Sequence, residues 1–204
     1  MGRGVLIALE GVDGAGKTTQ AMGLAAILAR FGRRVLCTRE PTSGPAGRRL
    51  RDYLAGSRRH LTAVEELALF QADRREHVEK TIRPALARGW VVITDRYYYS
   101  SAAYQGALGL DPEAILAESE AFAPRPDLVV IFTLPLPLAL ARRLAARGGE
   151  TQVSEVPAYL EKVAALYDTF QGPHLKRLDA SEPPAQVLGR LMNLALDTLL
   201  EVTP

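Results

Sequence analysis

The segment Gly11, Val12, Asp13, Gly14, Ala15, Gly16, Lys17, Thr18 sets glycine, four residues, then glycine, lysine and a hydroxyl side chain in a row, with Thr19 behind them. Each residue type answers a need of a polyphosphate. Glycines let the backbone curl until successive N–H groups point at phosphate oxygens. A helix that starts at the end of the run adds the positive end of its dipole. Lys17 reaches the outer phosphates, and the Thr18 hydroxyl is a ligand for magnesium. Gly11, Asp13, Gly14, Ala15, Gly16, Lys17, Thr18 and Thr19 are therefore the candidate residues for ATP. The run does not select the reaction, because switches, partition ATPases, motors and small-molecule kinases all use it.

A second group of residues suits a phosphorylated acceptor. Asp95, Arg96 and Tyr97 follow the apolar run Trp90 to Thr94, and Ser100, Ser101, Tyr104, Gln105 and Gly106 come next. An acceptor that is itself a phosphate meets a donor of the same sign, so cations must cancel the repulsion and align the reacting oxygens. Arg96 at a strand end, and Arg51 beyond Arg48 and Arg49, are of the right type. Phe70 and Arg74 stand four residues apart and share a helix face. One ring to stack on a base and one guanidinium to donate to an exocyclic oxygen would read a pyrimidine. Core packing for Phe70, and a salt bridge from Arg74 to Asp73, Glu76 or Glu79, are the structural alternatives. Asp13 and Asp95 are not needed as general bases, since the attacking phosphate oxygen is already ionised near neutral pH.

In combination, the phosphate loop, Phe70 to Arg74, and Asp95 to Gly106 resemble the thymidylate kinases. The resemblance runs from Val5 to about Ala180, with the Arg39, Glu40, Pro41 turn and Pro126, Asp127, Leu128 included. It implies magnesium-dependent phosphoryl transfer from ATP to dTMP and a homodimer. It gives Arg96 and Arg51 to the acceptor phosphate, and Asp13 to the acceptor's deoxyribose or the surroundings of the transferring phosphate. Phe70 would stack on thymine and Arg74 hydrogen-bond it, with Ser101 and Gln105 near its edge and Tyr104 packed where a 2′-hydroxyl would lie. Thr18 and Asp95 would serve the metal. Lys17, Arg96, Asp95 and Asp13 make up the catalytic set, together with one arginine that neutralises the transferring phosphate.

Members of that family keep this arginine either inside the phosphate loop or in a lid. Gly14 and Ala15 leave the loop without one, so a lid over about residues 143–156 is expected to supply it. Arg147 is the first candidate and Arg143 the second, with Arg142 beside them. The stretch Glu150 to Glu155 lacks the Asp-Arg pair expected there. A kinase for another nucleotide, a nucleotide-driven switch and a dTMP binder that transfers poorly are the alternative readings.

The elements that must carry these residues follow from pattern. Apolar runs Val5–Leu9, Val35–Thr38, Trp90–Thr94 and Leu128–Leu134 read as strands, with the mixed stretch Leu175–Leu178 as a weak last one, and continuously apolar strands are covered on both faces. Helices are expected over Thr18–Arg30, Arg48–Leu54, Thr62–Arg88, Pro137–Arg147, Pro157–Phe170 and Pro183–Leu200, the third opened by Thr62 with Glu65 three residues on and closed by Gly89. The alternation predicts one α/β domain, a three-layer P-loop fold with a parallel sheet of about five strands and helices on both faces. Ligands in such folds gather beyond the carboxyl ends of the strands.

Composition is compatible with this. The chain has 204 residues, 48% hydrophobic and 24% charged, with a net charge of +2 from 25 basic and 23 acidic groups. That balance does not suit a nucleic-acid or membrane-surface protein. The single cysteine, Cys37, excludes an intrachain disulfide. The longest apolar window, Leu128 to Ala141, is broken by Pro135 and Pro137 and falls short of the ~20 residues of a bilayer span. A soluble, cytoplasmic protein is expected.

Overall fold

The computed structural model describes residues 3–56, 60–147 and 157–202. Five strands, β1 (Val5–Glu10), β2 (Val35–Arg39), β3 (Val91–Asp95), β4 (Leu128–Thr133) and β5 (Leu175–Asp179), form a parallel sheet in the order β2-β3-β1-β4-β5. All five lie within about one residue of the runs expected from sequence. β1 is central, pairing Val5 with Val91 on one side and Ile7 with Leu128 on the other. Strand order reverses beside it, so the loop after β1 opens into the crevice where open α/β sheets bind ligands.

Alternation along the strands divides the core in two. Leu6, Ala8, Val92, Val129 and Ile131 face one layer, which contains α3 (Ala63–His77), α5 (Tyr98–Gly106) and α8 (Pro157–Thr169). Val5, Ile7, Leu9, Ile93, Val130 and Phe132 face the other, built from α1 (Lys17–Arg30) and α9 (Pro184–Val202). Tyr97, Tyr98 and Tyr99 are buried in the first layer.

The helix expected to run unbroken from Thr62 to Arg88 is instead α3, a π turn over Val78–Ile82, and α4 (Arg83–Ala87). Pro84 has no N–H to donate, and its ring crowds the carbonyl four residues back, so the ladder loosens by one residue ahead of it. Its two ends match expectation. Thr62 and Glu65 form a reciprocal cap, and Gly89, at φ 73°, returns its N–H to the Leu86 carbonyl at 2.9 Å. Its apolar positions Leu67, Val78, Ile82 and Ala85 are buried in the chain's own core.

Helices α5 and α6 (Pro112–Glu120) have no counterpart in the sequence reading. The second carried a local signal: Asp111 caps the Glu113 N–H at 3.0 Å, with Pro112 in the first turn. The remaining helices are α2 (Pro45–Ala55) and α7 (Leu136–Arg147). No helix among the described residues is long and apolar enough to cross a membrane.

Candidate active site

Gly16 precedes α1 with no side-chain cap, and the first turn of the helix holds no acidic residue. Its N–H groups are thereby left for an anion. Gly14, at φ 85°, lies so close to α7 that a Cβ there would stand 2.2 Å from the Ala139 carbonyl oxygen. The loop is thus pressed onto the helix that leads to the expected lid. Inside it, Lys17 is buried and its Nζ donates to the Val12 carbonyl at 2.9 Å. Burial, helped by the Arg96 charge, pulls its amine down to about 8 against the opposing pull of Asp95, Asp13 and Glu10.

The Thr18 hydroxyl donates to Asp95 Oδ2. A hydroxyl and a carboxylate meeting beside the phosphate loop are hard oxygen donors, and magnesium completes such a set with nucleotide phosphates and water. The residues present therefore fit that ion. No cluster of three or more His, Cys, Asp or Glu side chains able to hold a metal occurs among the described residues.

Arg96 follows β3 in the left-handed region, at φ 73°. Backbone of this kind in a non-glycine residue is costly and clusters at functional sites. Its Nη2 donates to Asp13 Oδ1 at 2.5 Å and to the Tyr104 hydroxyl at 3.2 Å, and its Nη1 to Ser100 Oγ at 2.8 Å. Burial opposes the Arg96 charge, but Tyr104, Asp13, Tyr167 and Asp95 more than offset it and the group stays cationic. Asp13 also reaches Arg143 Nη1 of α7 at 3.3 Å. Burial would raise its carboxyl, yet Arg96, Lys17 and Arg143 together hold it well below the usual carboxylate range.

The residues expected to meet the acceptor lie beside the same loop. Arg74 is buried and donates from Nε and Nη2 to Glu40 Oε2 at 3.0 and 2.9 Å, and from Nη2 to Ser101 Oγ at 3.0 Å. Its partner is thus Glu40, and not Asp73, Glu76 or Glu79. Asp73 instead takes the Thr42 N–H and hydroxyl, and Glu76 takes the Ala46 N–H and Lys80. Arg74 Nη1 has no hydrogen-bond partner among the described residues. Gln105 is held by Glu66 at 2.9 Å. Arg51 donates to the Pro41 and Thr42 carbonyls. A cavity of about 920 Å³ is lined by the phosphate loop together with Arg51, Phe70, Tyr104, Gln105, Arg142, Arg143, Ala180, Pro184 and Val187.

Of the lid candidates, Arg143 is buried against the loop through Asp13. Arg142 is tied to the Ala180 carbonyl at 2.7 Å. Arg147 ends α7, but its side chain, and residues 148–156, lie outside the described residues. Sequence reasoning gave no role to Glu10, Ser100 or Glu40. The one signal for Glu10 was an acid ending an apolar strand just before a glycine. Glu10 is fully buried, and burial outweighs its hydrogen bonds from Ser100 and Tyr97 to push its carboxyl up to about 7.

The geometry agrees with comparisons to known proteins. The family model described as Thymidylate kinase matches residues 9–190. A thymidylate kinase of Xanthomonas campestris pv. campestris is 49% identical over 185 residues, covering 91% of this chain and 80% of that one. One from Desulfotalea psychrophila is 45% identical over 179 residues, 88% of each chain. One from Xanthomonas oryzae pv. oryzae is 46% identical over 185 residues, again 91% and 80%. A family model that matches most of the chain, and relatives 45–49% identical over about nine-tenths of it, show that this chain belongs to the thymidylate kinase family.

Proposed function

We propose that this enzyme transfers the γ-phosphoryl group of ATP to the phosphate of dTMP, giving ADP and dTDP. The observation that carries the reading is one cavity whose walls include the phosphate loop, then Phe70, Tyr104 and Gln105, and also Arg142 with residues of the Ala180 to Val187 segment. A nucleotide switch needs walls for one nucleotide only.

In this reading Phe70 stacks on thymine, and Arg74 turns its remaining guanidinium donor to the base. Glu40 and Ser101 hold that guanidinium in place. Tyr104 fills the space of a 2′-hydroxyl, and Gln105 and Ser101 border the base edge. Arg96 and Arg51 grip the acceptor phosphate. Lys17 and the loop amides hold the donor's β and γ phosphates, with Gly11 to Thr19 wrapped around them. Thr18 and Asp95 would hold magnesium, which when bound neutralises charge on the phosphates of the donor. Transfer is in line and needs no base, so positioning and charge stabilisation carry the rate.

Of the lid arginines, Arg143 is favoured over Arg147 as the group that meets the transferring phosphate. Its tie to Asp13 sets it beside the loop and Arg96. We also propose one domain with a lid over about residues 143–156, a homodimer and a cytoplasmic setting. ADP release from ATP and magnesium, measured with dTMP, dUMP, dCMP, dGMP and AMP in parallel, tests the function. A dTMP-dependent rate abolished by Lys17→Ala is expected. ATP binding with no stimulation by any monophosphate would overturn the reading.

A further inference from the structure

We propose that Glu10 is a positioning residue for phosphoryl transfer, holding Arg96 at both its backbone and its guanidinium. This rests on the reading of Arg96 as the grip on the acceptor phosphate. Glu10 ends β1 directly beneath the β3–α5 turn, fully buried, and none of the roles above employs it.

Its Oε1 accepts the Tyr97 N–H at 2.9 Å. That amide adjoins Arg96, whose own N–H is held by the Leu9 carbonyl at 2.9 Å. Two neighbours on β1 therefore pin the left-handed turn from below. Oε2 accepts the Ser100 hydroxyl at 2.5 Å and the Tyr167 hydroxyl at 3.2 Å. Because the Ser100 hydroxyl donates to the carboxylate, its oxygen is left to accept, and Arg96 Nη1 donates to it at 2.8 Å. The carboxylate orients the hydroxyl, and the hydroxyl orients the arginine. Asp13 and Tyr104 hold the other amino group, Nη2, so the guanidinium is fixed at two corners.

It is the ionised form of Glu10, favoured above about pH 7, that makes this arrangement. An amide that kept its oxygen on the Tyr97 N–H would turn an N–H toward Ser100, reversing the direction of donation and removing the negative charge below Arg96. Residues that orient a substrate-gripping group matter because small misplacements of reacting groups are costly in rate.

Binding of dTMP and of thymidine, which lacks the phosphate, separates positioning from scaffolding. In Glu10→Gln and Ser100→Ala, affinity for dTMP should fall by about ten- to a hundredfold and kcat should fall with it. Affinity for thymidine and for ATP should stay within about twofold. Equal losses for dTMP and thymidine, or no loss for either, would overturn the proposal. Ser100→Ala leaves the Tyr97 contact in place, so it carries the test even if Glu10→Gln does not fold. Arg96→Ala, run alongside, should show the same phosphate-selective loss. If Arg96→Ala shows it and the other two do not, the role of Glu10 alone falls. If Arg96→Ala does not show it, the reading of Arg96 falls as well.

Discussion

The Asp13 carboxylate stands 2.5 Å from the Arg96 guanidinium, joining the phosphate loop to the turn that follows β3. Its second oxygen turns to Arg143 on α7. Three separate stretches of chain therefore meet at one side chain. In the proposed reading, that junction makes Arg143 the arginine of α7 that serves the reaction. Arg143→Ala should lower kcat on the order of a thousandfold, as loss of a charge-stabilising arginine does. Arg142→Ala should instead raise KM for ATP, and Arg147→Ala should do neither. Steady-state kinetics on the three variants would check this. A larger kcat loss in Arg147→Ala than in Arg143→Ala would transfer the role.

Lys17, with its amine at about 8, links nucleotide binding to pH. The cation binds polyphosphate and the neutral amine does not, so ATP affinity should be level below about 8 and should fall as pH rises through it. Just above that value, binding should take up a proton. Titration calorimetry in buffers of different ionisation enthalpy measures that uptake directly, and Lys17→Ala should show none. The same amine is charged in the unfolded chain up to its ordinary value of 10.5, so its contribution to folding stability should rise with pH between about 8 and 10.5.

The buried pair of Arg74 and Glu40 separates stability from recognition. Arg74→Ala leaves the Glu40 carboxylate buried with His77, 3.1 Å away, and should destabilise the fold by about 3–5 kcal/mol. Replacing both residues by apolar ones, Arg74→Met with Glu40→Leu, should restore most of that stability, because such exchanges of buried ion pairs are often neutral. It should not restore dTMP binding. Thermal unfolding and dTMP titration of the two variants together would check the separation.

Two glycines of the phosphate loop make a matched comparison. Both Gly14 and Gly16 have φ 85°, but a Cβ meets Ala139 at Gly14 and nothing within 4 Å at Gly16. Gly16→Ala should cost only the left-handed strain, about 1–2 kcal/mol. Gly14→Ala adds a collision with backbone and should unseat the loop from α7, with a larger drop in melting temperature and loss of ATP binding. Equal effects would mean that the loop moves freely against α7.

How far the sequence revealed this arrangement depended on whether the signal was local. Gly11 to Thr18 could be read from spacing alone, because a loop that binds through its backbone must spell its glycines out. β1, β3 and β4 were plain because they are covered on both faces and so almost continuously apolar, whereas β5, with Lys176 and Arg177 exposed, carried a fainter signal. Helix α5 escaped notice because Tyr98 to Ala103 is buried on nearly every side and shows no polar stripe to set its period. The π turn escaped because Pro84 was the only local mark within an otherwise helical pattern. Glu10, Ser100 and Tyr167 lie far apart in the chain, and only the packing of α5 and α8 beneath the β1 end makes them a group. Glu40 was quoted within a motif, yet its hold on Arg74 spans 34 positions that no periodicity links.

The central position of β1 also bears on how such enzymes can diversify. In the proposed reading, the cavity residues that meet the acceptor, apart from the shared phosphate loop, run from Arg39 to Gln105, and those that meet the donor run from Arg142 to Val187. The two specificities would then be written in separate, contiguous blocks of the gene. A recombination between relatives anywhere from about 106 to 141 would inherit acceptor choice from one parent and donor choice from the other, with β1 and its loop as the common hinge of exchange.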